Sequence, residues 1–278
     1  MRYLYTQNEY HHLNEAEDTG AVSMIKKAFG LGEPATTGEL GIPENLSTDK
    51  KKNVEAIIEA MKRNGITNPM TQKAILGVIG KESGFVPQSE ISYSKTDNSR
   101  IRKIFGKRVA GLNDAQLTEL KKDDVKFFDK VYGKEAKEYL GFDTGNTEPG
   151  DGFKYRGRGF NGITFKSTYK KFQDILSKYS KMENVPDIMG EPESLNSDPN
   201  VAAEVAVLFF IDAAKSPKMK QKYGTNDINS FTDQKTALKA ITNLNAGIGK
   251  DIESDYLKSF ELASKAAEEF DIKGTEKA

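Results

Sequence analysis

Length, composition and charge limit the classes of protein to which this chain can belong. It has 278 residues, with 41 basic and 41 acidic side chains and no cysteine. A balanced charge does not favour a nucleic-acid partner, and the lack of cysteine excludes a disulfide framework and thiolate metal sites. No apolar run reaches the roughly 18 residues of a membrane span. We therefore expect a soluble enzyme that binds neither nucleic acid nor a membrane.

The first 46 residues differ from the rest of the chain. Glycine and proline interrupt any long element there, and the N-terminus lacks the apolar core of a signal peptide. Apolar positions between Val22 and Leu31 have the spacing of a short amphipathic helix. We interpret residues 1–46 as an extension that docks on a larger assembly or packs back on the next domain. Side chains of the adjacent His11 and His12 diverge, so we expect no metal site.

From residue 47 to residue 272 the pattern predicts one mainly helical domain, followed by a short tail at 273–278. Apolar residues recur every three or four positions, and prolines, glycines and capping residues mark the helix ends. The predicted helices run through Val54 to Met61, from Pro69 to Glu82, through Tyr169 to Tyr179, from Pro199 through Ile211, through Ala237 to Leu244, and from Tyr256 to Phe270. Strand signals are short and lie between Phe153 and Thr164. The expected fold is mainly α, with one small β-hairpin.

Glu82 lies on the apolar face of the second predicted helix, in its last turn. Ile75, Val78 and Ile79 precede it at helical spacings, and Ser83-Gly84 ends the helix. Burial and the negative end of the helix dipole both disfavour a carboxylate there, which favours the protonated form that a general acid requires. The alternative is a structural glutamate that reaches water or pairs with a buried arginine.

Residues 155–169 read YRGRGFNGITFKSTY and combine glycines with regularly spaced arginines. Gly157 and Gly159 allow close backbone approach or positive φ, and Arg156 and Arg158 offer the donor pattern that suits carboxylates. The glycine spacing matches neither a phosphate-binding loop nor a dinucleotide fingerprint. The residues alone leave open a simple glycine-rich turn with solvated arginines.

Several segments resemble motifs of family-19 glycoside hydrolases, which include plant-type chitinases and many phage endolysins. Residues 150–160, GDGFKYRGRGF, are similar to the signature GDGxxYRGRGxxQLT. GVIGKESGF resembles the helix that ends in HES-GGF, SEISYS resembles an endolysin loop that ends in Tyr-Ser, and ITNLNAG resembles the INGG motif. This sequence departs from the family pattern at Lys81, where the family has histidine, at Gly162, where it has glutamine, and at Ala246, where it has glycine.

The resemblance implies catalytic roles for two glutamates. Glu82 falls on the family's proton donor, and Glu90 falls near the second glutamate of the endolysins, although a shift of one position places Ser89 there. Asp97 is a reserve candidate for the base, and Thr96 lies where a hydroxyl could hold the attacking water. The expected mechanism is inverting, with carboxyl groups about 6.5–9.5 Å apart.

The resemblance also implies substrate-binding residues, which are Tyr93, Arg158, Thr164 and Asn245. Arg156 or Arg158 is further expected to stabilise the cleft by pairing with an acidic neighbour. Asn245 near a helix end could instead serve only as a C-cap. The ammonium of Lys81 would favour ionised Glu82, and Gly162 removes a sugar-binding amide.

The function implied by the resemblance is a lysozyme-like glycosidase that cuts β-1,4 links between the amino sugars of peptidoglycan, with no cofactor and no metal. The alternatives are a chitinase, and a phage virion or tail protein that carries a weak or inactive glycosidase domain. The endolysin branch implies a place in a phage particle, or in the host cytoplasm before release, with action on the bacterial cell wall. Residues 1–46 would then contact other virion or tail proteins.

Overall fold

The structure, a computed structural model, describes residues 42–43 and 46–247 together with residues 265, 267 and 270. This part of the chain is mainly helical with one small antiparallel sheet, so the predicted fold class is confirmed. None of its helices is long and apolar enough to cross a membrane. The predicted helix of the N-terminal extension, most of the helix predicted up to Phe270 and the C-terminal tail lie outside the described residues.

Helices of very different length follow one another along the described chain, with two short strands between them. The first part contains α1 (Thr48–Arg63), α2 (Pro69–Ser83), β1 (Gln88–Ser89), α3 (Asn98–Phe105), a 3₁₀ turn (Gly106–Arg108), α4 (Asp114–Leu120), α5 (Asp124–Tyr132) and α6 (Ala136–Leu140). The second part contains α7 (Asp151–Lys154), β2 (Arg158–Gly159), α8 (Lys166–Tyr179), α9 (Ser194–Ser197), α10 (Pro199–Ala214), α11 (Pro217–Tyr223) and α12 (Gln234–Ala246).

Local sequence signals explain both ends of α2, the helix that carries Glu82. The side chain of Asn68 accepts hydrogen bonds from the backbone N–H groups of Met70 and Thr71, and Pro69 occupies the first helical position. Gly84 ends the helix in the left-handed conformation, with φ of 55°. The predicted start and end of this helix are therefore confirmed, and Glu82 lies in its last turn.

Within the part of the chain that the structure describes, buried side chains form two separate clusters. The large core joins α1, α2, α8, α10 and α12, with α2 packed against α12 and α1 packed against α10. A smaller cluster, which we call the aromatic core, is built mainly from the segment between β1 and α7. Its buried residues are Tyr93, Ile101, Ile104, Phe105, Val109, Leu117, Phe127, Phe128, Val131, Tyr132, Ala136, Leu140 and Phe165.

The sheet joins segments that are far apart in the chain. β1 pairs with β2 in antiparallel register, with Gln88 opposite Gly159 and Ser89 opposite Arg158. Arg158 also exchanges backbone hydrogen bonds with Ile163, at 3.0 and 3.2 Å, which closes the predicted turn between Phe153 and Thr164. The sequence did not indicate the second partner, β1, which brings the segment after α2 against the arginine- and glycine-rich loop.

Candidate active site

A pocket lies where the end of α2, β1 and the loop around β2 meet. The space between its lining atoms is about 450 Å³, which includes space open to solvent. The lining residues are Glu82, Ser83, Gln88, Glu90, Gly157, Gly159, Phe160, Asn161, Gly162 and Thr164. The fold therefore brings three of the predicted site residues, Glu82, Glu90 and Thr164, into one pocket.

Lysine and amide donors contact the side chain of Glu82. The ammonium of Lys81 lies 2.9 Å from Oε1, and the side-chain amide of Asn245 donates to the same oxygen at 2.7 Å. The Lys81 and Glu82 side chains are only 6% and 9% exposed. Asn245 reaches Glu82 because it lies in the last turn of α12, which packs along α2. A lysine and an amide therefore contribute to anchoring Glu82.

Phenol and backbone donors hold the carboxyl group of Glu90. Tyr93 and Tyr132 each donate their hydroxyl to Oε1 at 2.8 Å, and the backbone N–H of Gly157 donates to Oε2 at 3.2 Å. Burial raises the pKa of Glu90, and the three hydrogen bonds and the positive charge of Arg108 lower it in part. The net result is a raised pKa for a carboxyl group beside the pocket.

The backbone of Gly157 lies directly against Glu90. Its carbonyl accepts a hydrogen bond of 2.7 Å from the Glu90 N–H, while its own N–H reaches the side chain. A Cβ at this position would lie 3.3 Å from Oγ1 of Thr164 and 3.4 Å from Oε2 of Glu90. The glycine therefore permits the close approach that the sequence pattern predicts.

The GDG motif at residues 150–152 docks on α5, which carries Tyr132. Asp129 of α5 accepts hydrogen bonds from the backbone of Gly150 at 2.6 Å and of Gly152 at 2.9 Å. A Cβ on Gly152 would lie 2.3 Å from the Phe128 carbonyl oxygen, so only glycine fits. The motif thus fixes α5 and, through it, the tyrosine that contacts Glu90.

Comparison with known proteins gives the family. No family model matches the chain. Over 159 residues it is 30% identical to a glycosyl hydrolase family 19 domain-containing protein of Haemophilus influenzae, and the match spans 56% of this chain and 68% of that protein. The chain belongs to glycosyl hydrolase family 19. The resemblance seen in the motifs is therefore confirmed at the level of the family, and the protein is a glycoside hydrolase.

In this family 19 hydrolase, Arg156 and Arg158 contact other protein groups and stabilise the loop. Arg158 is 1% exposed, donates to the Lys154 carbonyl at 2.6 Å and forms an ion pair with Glu193. Arg156 lies 3.4 Å from the same carboxylate. The hydrogen bond from Arg158 lowers the pKa of Glu193 to about 2. The expected pairing with an acidic neighbour is present, whereas the substrate contact predicted for Arg158 does not fit a guanidinium buried against protein atoms.

The segment after Glu90 differs from the prediction. Tyr93 is 2% exposed and its hydroxyl contacts Glu90, so the structure places it behind the carboxyl group and not at a sugar-facing surface. Thr96 and Asp97 are not among the residues that line the pocket. The Thr96 carbonyl accepts a hydrogen bond from Lys121, and Asp97 is an exposed residue at the start of α3. A water-holding role for Thr96 stays a prediction without a contact that supports it.

Several residues in or beside this pocket were not among the candidates predicted from the sequence. Tyr132, which contacts Glu90, lies 42 positions further along the chain on a helix that was not predicted. Gln88 and Asn161 line the pocket, although neither was singled out as a candidate. Phe127, Phe128, Val131 and Tyr132 have the spacing of one buried helix face after the cap residue Asp123, which could have predicted this helix. Only the packing of α5 against α7 brings Tyr132 to the site.

Proposed function

We propose that this family 19 hydrolase cleaves β-1,4 links between the amino sugars of peptidoglycan by inverting acid–base catalysis. The observation that carries the proposal is that Glu82 and Glu90 line the same pocket, one from the end of α2 and the other from the segment after β1. Two carboxyl groups that flank the scissile bond are the usual requirement for glycoside hydrolysis.

In the proposed reaction the two carboxyl groups have different tasks. Glu82 donates a proton to the leaving glycosidic oxygen, and Glu90 accepts one from a water molecule that attacks the opposite face of the sugar. A raised pKa suits Glu90 for this task, because a general base is most effective when its pKa lies near the working pH. Asn245 and Thr164, next to the two carboxyl groups, are proposed to contact sugar.

Two observations support peptidoglycan as the substrate. The SEISYS segment resembles the endolysin branch of the family. Gly162 lines the pocket at φ of 59°, and no atom lies within 4 Å of a Cβ placed on it, so the wall is open where the family has glutamine. In this proposal the open wall accommodates the peptide-bearing substituent of an amino sugar. The family also includes chitinases, which makes an unsubstituted chitin chain the second candidate.

Parallel digestion of purified cell wall and of chitin oligomers tests the proposal. We expect release of new reducing ends from cell wall, with inverted configuration of the first-formed anomer by NMR, and no release by the Glu82→Gln variant. Turnover of chitin oligomers alone would assign a chitinase. Initial retention of configuration would contradict the inverting mechanism. A folded protein inactive on both polymers would favour a structural virion protein with an inactive domain.

We further propose that the N-terminal segment docks the enzyme on a phage particle before it acts on the wall. The segment lies outside the family motifs and contains frequent glycine and proline breaks. Ile42 and Leu46 pack against the large core, so the removable part ends before Ile42. A chain that begins at Ile42 should keep its wall-degrading rate and lose co-sedimentation with phage particles. Loss of folding or of catalysis in that variant would contradict a docking role.

A further inference from the structure

The two oxygens of the Glu90 carboxyl group have different surroundings. Oε1 accepts one hydrogen bond from Tyr93 and one from Tyr132, both at 2.8 Å. A carboxylate oxygen offers about two lone-pair sites, so the two phenols occupy both sites of Oε1. Oε2 accepts a single hydrogen bond, from the Gly157 backbone at 3.2 Å, and retains one site on the side of the pocket-lining glycine.

Tightly packed rings support both phenols. The ring of Tyr93 lies 5.1 Å from that of Phe105 and 5.2 Å from that of Phe127. The ring of Tyr132 lies 5.4 Å from that of Phe165, and the Arg108 guanidinium lies 5.6 Å from its centroid. Because buried aromatic rings in such contacts occupy one rotamer, the hydroxyls are held in place before substrate binds.

From this geometry we propose that Tyr93 and Tyr132 are positioning residues, which hold Oε1 of Glu90 and thereby select Oε2 as the oxygen that exchanges a proton with the reacting water. The inference rests on the proposed function, because it assigns the atom through which the second carboxyl group acts. Neither tyrosine contacts the substrate in this scheme. Each acts through Glu90, by fixing its orientation and by stabilising its ionised form.

The electrostatic surroundings of Glu90 make the proposal testable by pH. The charged and titratable groups near it are Tyr93, Tyr132, Arg108, Arg156 and Glu82, which lines the same pocket. Burial raises the pKa of Glu90, and the tyrosine hydrogen bonds are the strongest influences that lower it. Removal of either hydroxyl should therefore raise the pKa further. Since a general base must be ionised, the acidic limb of the pH–rate profile should then move to higher pH.

The experiment uses the full chain with Tyr93→Phe and Tyr132→Phe, which keep the packed rings and remove one hydroxyl each. Tyr155→Phe is the matched control, because Tyr155 is also buried but its hydroxyl contacts the Met189 carbonyl at 3.4 Å. Turnover and apparent KM on purified cell wall are measured across the pH range. The pKa of Glu90 is measured separately by carbon NMR of the labelled carboxyl group, with Glu90→Gln to assign the signal.

We expect kcat to fall about tenfold in each of the two tyrosine variants, because a hydrogen bond to a charged group is worth roughly that factor. KM should change less, the acidic limb should move to higher pH, and Tyr155→Phe should match the wild type. A shift of the alkaline limb instead would support the role of the tyrosines and make Glu90 the proton donor. If one of the two tyrosine variants does not fold, the other variant alone tests the positioning role.

Failure of this inference differs from failure of the proposed function. If Glu90→Gln is inactive while both tyrosine variants keep the wild-type kcat and pH profile, the positioning role is wrong and the function stands. If the wild type degrades neither polymer, the proposed function is wrong. The NMR titration of Glu90 then still tests whether the two tyrosines control its carboxyl group. An upward shift of the Glu90 pKa in the variants would then support the proposed control of Glu90, and an unchanged pKa would overturn it.

Discussion

The two carboxyl groups of the pocket lie in contrasting surroundings. Glu82 belongs to a regular helix of the large core, and a lysine and an amide hold it. Glu90 lies in an irregular segment, and two phenols of the aromatic core hold it together with the backbone of a distant loop. The first group is thus positioned mainly by one helix and its neighbour, whereas the second depends on several segments that meet only in the folded protein.

This contrast predicts how the position of each carboxyl group responds to substitutions elsewhere in the protein. The α2–α12 contact is part of the larger cluster of buried residues, so the position of Glu82 should survive a local loss of packing. The aromatic core is smaller, and it carries both tyrosines that contact Glu90. Loss of one ring there should therefore disturb Glu90 more than a similar loss in the large core disturbs Glu82.

Removal of either carboxyl group should give the largest effect. Glu82→Gln and Glu90→Gln are each expected to lower turnover of cell wall by about 10²–10⁴, the usual contribution of general acid or base catalysis. Glu119→Gln, on the exposed face of α4, is the control and should match the wild type. Wild-type turnover in either pocket variant, with an intact circular dichroism spectrum, would remove that glutamate from the mechanism.

Truncation of one ring in each core tests the difference between them. Phe127 and Phe172 are both buried, the first in the aromatic core and the second in the large core. Phe127→Ala and Phe172→Ala should each lower the free energy of unfolding by about 3–5 kcal/mol. At a temperature where both variants remain folded, only Phe127→Ala should also lose turnover. Equal activity in the two would show that Glu90 does not depend on the packing of the aromatic core.

Loss of the amide beside Glu82 should have a moderate effect. Asn245→Leu removes the 2.7 Å donor to Oε1 of Glu82, and we expect a fall in kcat of about tenfold. A double-mutant cycle with Glu82→Gln supplies the control, because the part of the loss that acts through the carboxylate should vanish once the carboxylate is absent, whereas the part due to a sugar contact should remain. Fully additive losses in the cycle would contradict any role of Asn245 through Glu82 and leave it a sugar contact alone.

Loss of the ion pair between Arg158 and Glu193 should give the smallest effect, and this effect should be on stability alone. The pKa of Glu193 is lowered from 4.5 to about 2, chiefly by the Arg158 hydrogen bond. A lowered pKa stabilises the fold above pH 4.5, and this contribution is lost as the pH falls from 4.5 towards 2. Because Glu193 is half-exposed, Glu193→Gln should cost only about 1 kcal/mol at neutral pH. Urea unfolding should show the difference from wild type shrinking at acid pH, and a pH-independent difference would contradict this account.

The sequence by itself determined the helical fold class and the position of one carboxyl group. Periodicity and capping residues are local signals, and they predicted α1, α2 and the later long helices. Both ends of α2 are correct, whereas α1 begins at Thr48, before the predicted Val54. The same periodicity placed Glu82 on the buried face of α2, and its side chain is 9% exposed. Family motifs added the glycine-rich loop, which does line the pocket.

Only the tertiary structure decided how the second carboxyl group is held. The helices between residues 98 and 140 are short, and the sequence analysis did not predict them, although two of them have amphipathic patterns and capping residues. Glu90 contacts Tyr132 across 42 positions and Gly157 across 67. Contacts of this range arise from the pairing of β1 with β2 and the docking of α7 on α5. No local propensity encodes such contacts, because they form only when distant segments bury their surfaces against one another.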